Sequence, residues 1–313
     1  MAYDPRWDDR DDPFTVGARG RDGVGRGAFR AARFRTPTRG VRVRVDAPDD
    51  LIGQVRALSL VAPEGTAAFG LTAARLHRLP LPAWATRDPQ PVHLTARVRA
   101  RPPKPDGRSY GSGAAKMQRP QARWHRVELR DDDYLVHDGV LVTTPARTFV
   151  DLAAILRLPD LVAVADAVVR DGQATRDELR AMVRRHRGRR GVRVARRALE
   201  LLDPRSESPQ ESRLRVVLIE SGLPVPIPQL VVRAPAGGFI ARVDLGYPRW
   251  RIAVEYDGAY HADPRQRERD ASRRTLLREH GWYVVEVTAR DLRDPYLATA
   301  KVRGALRSRG ALR

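Results

Sequence analysis

The chain has no cysteine. That excludes disulfide scaffolds, thiolate zinc sites, iron–sulfur clusters and cysteine nucleophiles together. Lysine is almost absent: Lys104, Lys116 and Lys301 are the full complement, so nearly all the positive charge is arginine. Long apolar runs are missing, and nothing approaches the roughly 18 residues of a membrane span. Met1 to Asp12 carries five aspartates and no apolar stretch. A secretory leader is therefore not expected, and a cytoplasmic location is.

Arginine, by contrast, is in excess. Over 313 residues, 58 Lys+Arg stand against 38 Asp+Glu, a net charge of +20. A G- and C-rich genome favours arginine codons over lysine codons, but codon choice does not explain an excess of charge. A summed positive field of this size points to a polyanion, with nucleic acid as the expected partner. A hydrophobic content of 42% is enough for real cores. At roughly 100–200 residues per domain, the length suggests two or three domains.

Three regions are expected within a mixed α/β fold class: 1–48, 49–203 and 204–313. In the first, short helices are expected around Thr15 to Arg21 and Gly25 to Phe34. Val41-Arg42-Val43-Arg44-Val45 follows with period two, a half-exposed strand. That order suits a winged helix-turn-helix, with Arg42 and Arg44 on the wing as nucleic-acid contacts. Glycines at 17, 20, 23, 25 and 27 weaken the helices by about 1 kcal/mol each, so a basic arm is the competing reading.

The second region reads as helical from Asp50 to Pro82, as strand from Val92 to Val98, and as linker from Arg101 to Gln121. Strands follow at Ala122 to Leu129 and near Leu135 to Val142, with a turn signal at Asp138-Gly139. Thr144 caps a helix with Pro145 in its first turn. On that helix Arg147 and Asp151 stand four apart, a pair worth a few tenths of a kcal/mol if exposed. Helices are expected at Asp160 to Arg170, Arg176 to His186 (capping box Thr175/Glu178) and Val192 to Leu202. Arg184 to Arg190 forms a basic loop, and Asp203-Pro204 marks the boundary.

In the third region Glu211 reads first as the capping partner of Ser208. Strands are expected at Gln229–Arg233, Ile240–Leu245, Ile252–Asp257 and Trp282–Val287. A basic helix spans Pro264 to His280, and a last helix runs from about Asp291 to Arg309. Period two puts Ala253, Glu255 and Asp257 on one strand face, and a tight turn lets Asp244 project beside Glu255 or Asp257. Converging carboxylates raise one another's pKa, a cost that a divalent cation reverses. Oxygen-only ligands point to Mg²⁺ or Mn²⁺, which polarises a phosphodiester or ionises water. The competing reading makes Asp257-Gly258 a turn and Asp244 an edge charge.

Arg267, Arg273 and Arg274 crowd the basic helix, which is a solvated face by itself and a phosphate track beside the acids. His77, His93, His125 and His137 share no ligand spacing and read as ordinary structural or surface residues. Trp250, Tyr256 and Tyr260 read as packing rather than base-stacking residues.

The segments Asp244-Leu245, Glu255-Tyr256-Asp257-Gly258-Ala259-Tyr260-His261, Arg269-Asp270, Arg273-Arg274 and Gly281-Trp282 carry a likeness. Over about Ser206 to Asp294 the chain resembles small bacterial domains similar to very-short-patch repair endonucleases of the PD-(D/E)xK superfamily. The resemblance implies a restriction-endonuclease-like α/β core in which Asp244 and Glu255 ligate Mg²⁺ (or Mn²⁺). Asp257 would add a third carboxylate, and His261 a water-activating or phosphate-facing imidazole. Asp270 with Arg273 or Arg274 would complete the facing helix, and Glu211 would lie near the site. The superfamily's usual lysine is replaced by Asp257, so a binding-only relative is the alternative.

Pro13-Phe14-Thr15, Leu71-Thr72-Ala73-Ala74, Leu79-Pro80-Leu81-Pro82 and Thr144-Pro145-Ala146-Arg147-Thr148-Phe149-Val150-Asp151-Leu152 resemble the AbiEi-type antitoxin family. That likeness implies a winged helix before a larger domain, and repression of the protein's own operon. The chain alone names no toxin partner and no oligomeric state. Two functions are therefore expected. One is a Mg²⁺-dependent DNA endonuclease or nickase, a hydrolase. The alternative is a non-catalytic DNA-binding regulator of antitoxin type with a degenerate nuclease fold.

Overall fold

The structure, a computed structural model, describes residues 13–15, 34–38, 40–87, 90–96, 122–127, 129–258 and 264–312. It divides into two compact units, Met1–Leu152 and Ala153–Arg313.

The first unit opens with a small antiparallel sheet, order β1-β3-β2, from β1 (Phe14–Thr15), β2 (Phe34–Arg35) and β3 (Val41–Arg44). Val41 and Val43 are buried beneath it while Arg42 and Arg44 are half-buried, the alternation read from the sequence. Phe14 meets Phe34 edge-on at 5.6 Å. Between their terminal strand residues, the helices expected from Thr15 to Arg21 and Gly25 to Phe34 lie outside the described residues. So do the tail before Pro13 and the linker from Arg101 to Gln121.

A mixed five-stranded sheet follows, order β6-β5-β4-β8-β7. Its strands are β4 (Ala67–Ala68), β5 (Val92–Ala96), β6 (Ala122–Arg126), β7 (Tyr134–His137) and β8 (Val140–Thr143). Helices α1 (Leu51–Ser59), α2 (Gly70–Leu76), α3 (Ala83–Thr86) and α4 (Pro145–Leu152) accompany it. Val55, Leu58, Ala73, Leu94, Val140 and Val142 form its core. The stretch from Leu135 to Val142, read as strand with a turn signal at Asp138-Gly139, is a hairpin that turns at those two residues. Asp138 and Gly139 both take positive φ (47° and 77°), the two-residue turn whose twist matches paired strands.

Helix α4 is anchored from below. Arg147, fully buried, donates from Nη1 to Asp133 (2.8 Å) and from Nε to Asp151 (3.1 Å). The pair read as four apart on a helix face is thus part of a buried triad. In β5 and β6, His93 and His125 stack with centroids 5.0 Å apart and a 3.0 Å nitrogen contact. Burial pushes His93 down to about 4, helped by His125 and Arg123, and burial also lowers His125. A base with a depressed folded pKa contributes stability above its unfolded value that is lost as pH falls. Allowing for partial solvent screening, the first unit is expected to lose about 2 kcal/mol between pH 6.5 and 4. Urea midpoints across that range check it, and His93→Gln should flatten the drop.

The second unit begins with α5 (Leu158–Arg170), α6 (Arg176–Arg185), α7 (Val192–Leu201) and α8 (Pro209–Glu220). The Thr175/Glu178 capping box forms as read. Arg184 is exposed in the last turn of α6, and Arg187 and Arg190 are exposed on the loop after it. Buried Asp166 of α5 accepts from Arg215 of α8 at 2.7 Å and from the Asp203 backbone at 2.8 Å. This pair crosses the Asp203-Pro204 step and ties α8 to the preceding helices.

A four-stranded sheet, order β12-β11-β10-β9, completes the unit from β9 (Ile227–Arg233), β10 (Phe239–Tyr247), β11 (Ile252–Asp257) and β12 (Tyr283–Thr288). Only β11 and β12 pair in parallel. Helices α9 (Pro264–Glu279), α10 (Ala289–Arg293) and α11 (Pro295–Ser308) pack around it. Leu245, Val254 and Val285 meet Leu214 of α8 and Val302 of α11 in one core, while Val243 and Ala253 meet Leu277 of α9 in another. Burial of each of these leucine and valine side chains contributes about 1.5–3 kcal/mol.

Gly246 lies inside β10, where Leu230 fills the space a side chain would take. One local reading changes. The last helix is broken at Asp294, which caps α11 before Pro295. Among the described residues no helix is long and apolar enough to cross a membrane.

Candidate functional site

The second sheet brings the predicted acids to its middle strands. Register runs Tyr247↔Ile252, Gly246↔Ala253, Leu245↔Val254, so the next residues along are Asp244 and Glu255. Asp244 accepts from the Tyr256 backbone at 2.8 Å. Glu255 is buried, and Arg273 of α9 reaches its carboxylate at 3.3 Å. Arg273 also donates to the Arg242 carbonyl at 3.4 Å.

Glu211 joins from α8. Ser208 accepts from the Glu211 backbone, the expected cap. The reciprocal arm lands elsewhere: the Glu211 carboxylate accepts from the Glu207 backbone (2.9 Å) and from Gln229 (2.8 Å). Gln229 has φ 52°, and β9–β10 pairing passes from Val243↔Leu230 to Leu245↔Pro228 without it. A left-handed residue without a glycine's freedom costs about 1–2 kcal/mol. The strained residue is the one that holds Glu211.

Burial raises Asp244 to about 6. The Tyr256 amide and Arg273 oppose this, while Glu211 and Glu207 add to it. Asp244, Glu255, Glu211 and Arg273 are thus brought together. Asp257 is exposed at the end of β11. His261 lies outside the described residues. Arg267 and Asp270 fall on α9, with side chains outside the description. Arg274 is taken up by Glu286. In the first unit, Arg44 pairs with Asp46 and Arg42 donates to the Val41 carbonyl at 3.2 Å.

Two adjacent carboxylates are a donor set of the kind Mg²⁺ uses with water and phosphate. Among the described residues no group of three acids or imidazoles is placed to hold an ion. Arg273 already compensates Glu255. Sequence reasoning missed Gln229, Arg242 and Glu207. Gln229 carries no signal in its own neighbourhood, and Arg242 meets Glu207 (2.9 Å) only through the fold.

Residues 66–204, which take in the five-stranded sheet and helices α2 to α7, match the AbiEi antitoxin C-terminal domain. Two uncharacterized proteins of Mycobacterium tuberculosis, from strains CDC 1551 / Oshkosh and ATCC 25618 / H37Rv, are each 35% identical to the chain over 256 residues. Each alignment covers 81% of this chain and 86% of the relative. No solved structure matches the chain. The chain belongs to the family of these mycobacterial proteins, and its residues 66–204 are similar to the AbiEi antitoxin C-terminal domain.

Proposed function

We propose that the protein is a DNA-binding regulator of antitoxin type, acting in the cytoplasm, whose second unit keeps a nuclease-like arrangement without cutting. The observation that carries this reading is β3: buried Val41 and Val43 turn Arg42 and Arg44 outward, just ahead of an AbiEi antitoxin domain. An exposed ion pair such as Arg44–Asp46 is worth little, so its guanidinium exchanges readily for a phosphate. An antitoxin domain also implies a toxin as protein partner. The absence of cutting is supported by protein donors already on each acid and by Asp257 standing where the superfamily has lysine.

The test is a gel shift of the full chain on its own upstream DNA across a salt series. Arg42→Ala with Arg44→Ala is expected to weaken binding about 10- to 100-fold and to reduce the salt slope by up to about two counterions. An unchanged slope removes the wing from the interface.

A Mg²⁺-dependent nickase is the second reading, favoured by the raised pKa of Asp244 beside Glu255. In it these two residues would hold Mg²⁺ or Mn²⁺, which would supply Lewis acidity at a phosphodiester. Supercoiled plasmid decides: if wild type nicks no faster than Asp244→Ala plus Glu255→Ala, this reading is retired.

A further inference from the structure

A groove of about 850 Å³ runs between β10 and α9, lined by Phe239 and Arg242 on the strand and Arg269, Ser272, Arg273 and Leu276 on the helix. Its walls are chemically divided. Phe239 is 66% exposed and Leu276 42% exposed. Arg269 is exposed as well. The guanidinium groups of Arg242 and Arg273 are held at one end by Glu207 and Glu255. Phe239 is presented by a tight hairpin: the Ala234 amide donates to the Gly238 carbonyl and the Gly237 amide to the Ala234 carbonyl, both at 2.8 Å, with Gly237 at φ 89°. The ring is thus displayed on an ordered turn beside a row of cations.

We infer that this groove binds single-stranded DNA, stacking an unpaired base on Phe239 while Arg242 and Arg269 track the phosphates. A duplex buries its base faces in its own stack, so it offers phosphates to arginine but no ring face to Phe239. An unpaired strand offers both, and a positively charged groove with an exposed aromatic is the arrangement that binds it. Leu276 continues the apolar wall under the next base. Pairs such as Arg242–Glu207, about half exposed on both partners, yield to phosphate at little cost. The surface lies in the second unit and is independent of the β3 interface proposed above.

The test is fluorescence anisotropy of the full chain with labelled oligo-dT, and in parallel with a hairpin-closed duplex carrying its own upstream sequence. Phe239 is exposed, so Phe239→Ala leaves the fold intact. It is expected to weaken oligo-dT binding roughly 10-fold and to leave duplex binding unchanged. Arg269→Ala is expected to lower the oligo-dT salt slope by about 0.7. The inference is overturned if oligo-dT does not bind, if Phe239→Ala binds it as wild type does, or if polyglutamate displaces it as well as unlabelled oligo-dT. A wild-type chain that binds the duplex but not oligo-dT refutes the groove alone. The reverse pattern refutes the regulator reading alone.

Discussion

Replacing Arg147 with leucine is expected to destabilise the first unit by about 3–5 kcal/mol, most of a small domain's stability. The side chain is fully buried between Asp133 (2.8 Å) and Asp151 (3.1 Å), whose own side chains are almost as inaccessible. Removing the cation leaves two carboxylates desolvated against each other. The loss therefore comes from the stranded acids more than from any contact the arginine made. Asp133 also accepts from the Arg130 backbone at 2.9 Å, so disturbance spreads into the turn before β7. Adding Asp133→Asn and Asp151→Asn to Arg147→Leu should recover part of the loss. Denaturant midpoints of the three proteins measure this. A loss under about 1 kcal/mol would show that water reaches the triad.

Asp244→Asn is expected to do the opposite, stabilising the second unit by about 3 kcal/mol at pH 8. Burial raises the folded pKa from 3.8 to about 6. Below pH 4 both folded and unfolded states hold the proton, and the site's full stability is present. As pH rises from about 4 to 6 the unfolded state ionises first, and stability falls until the folded state ionises too. Asparagine keeps an oxygen for the Tyr256 amide and carries no charge for Glu211 and Glu207 to oppose. Thermal midpoints of variant and wild type should converge near pH 4 and separate above pH 6. Parallel curves, or a variant less stable at pH 8, would show that the charge supports the fold. The expected result places Asp244 among groups whose ionised form the fold holds against its own stability, a mark of functional sites.

Much of this was legible in the chain. The alternation in Val41 to Arg44 reported a half-buried strand because a period of two depends only on which face is wet. Thr175 with Glu178 and Thr144 with Pro145 reported helix starts because capping is local chemistry. What escaped depended on partners distant in sequence. Ala67–Ala68 is a central strand of the five-stranded sheet, yet two alanines inside a helical-looking stretch carry no strand signal. Arg147 and Asp151 read as an ordinary helix pair, since nothing nearby announced that Asp133 would close over them. At the candidate site, strand spacing put Asp244 beside Glu255 or Asp257, and the choice between them came only with the β10–β11 register. The strain at Gln229 and its hold on Glu211 required β9, β10 and α8 to be in place.

The central claim is that the protein recognises DNA without using the acids of the second sheet. The dissociation constant for its own upstream DNA tests it most directly, measured for wild type and for Asp244→Ala plus Glu255→Ala. Both proteins should bind that DNA at least about 1,000-fold tighter than a scrambled duplex at physiological salt. They should differ from each other by no more than about 2-fold, a free-energy difference within the scatter of surface substitutions. Equal affinity for both duplexes, or binding lost together with the two acids, would contradict the account.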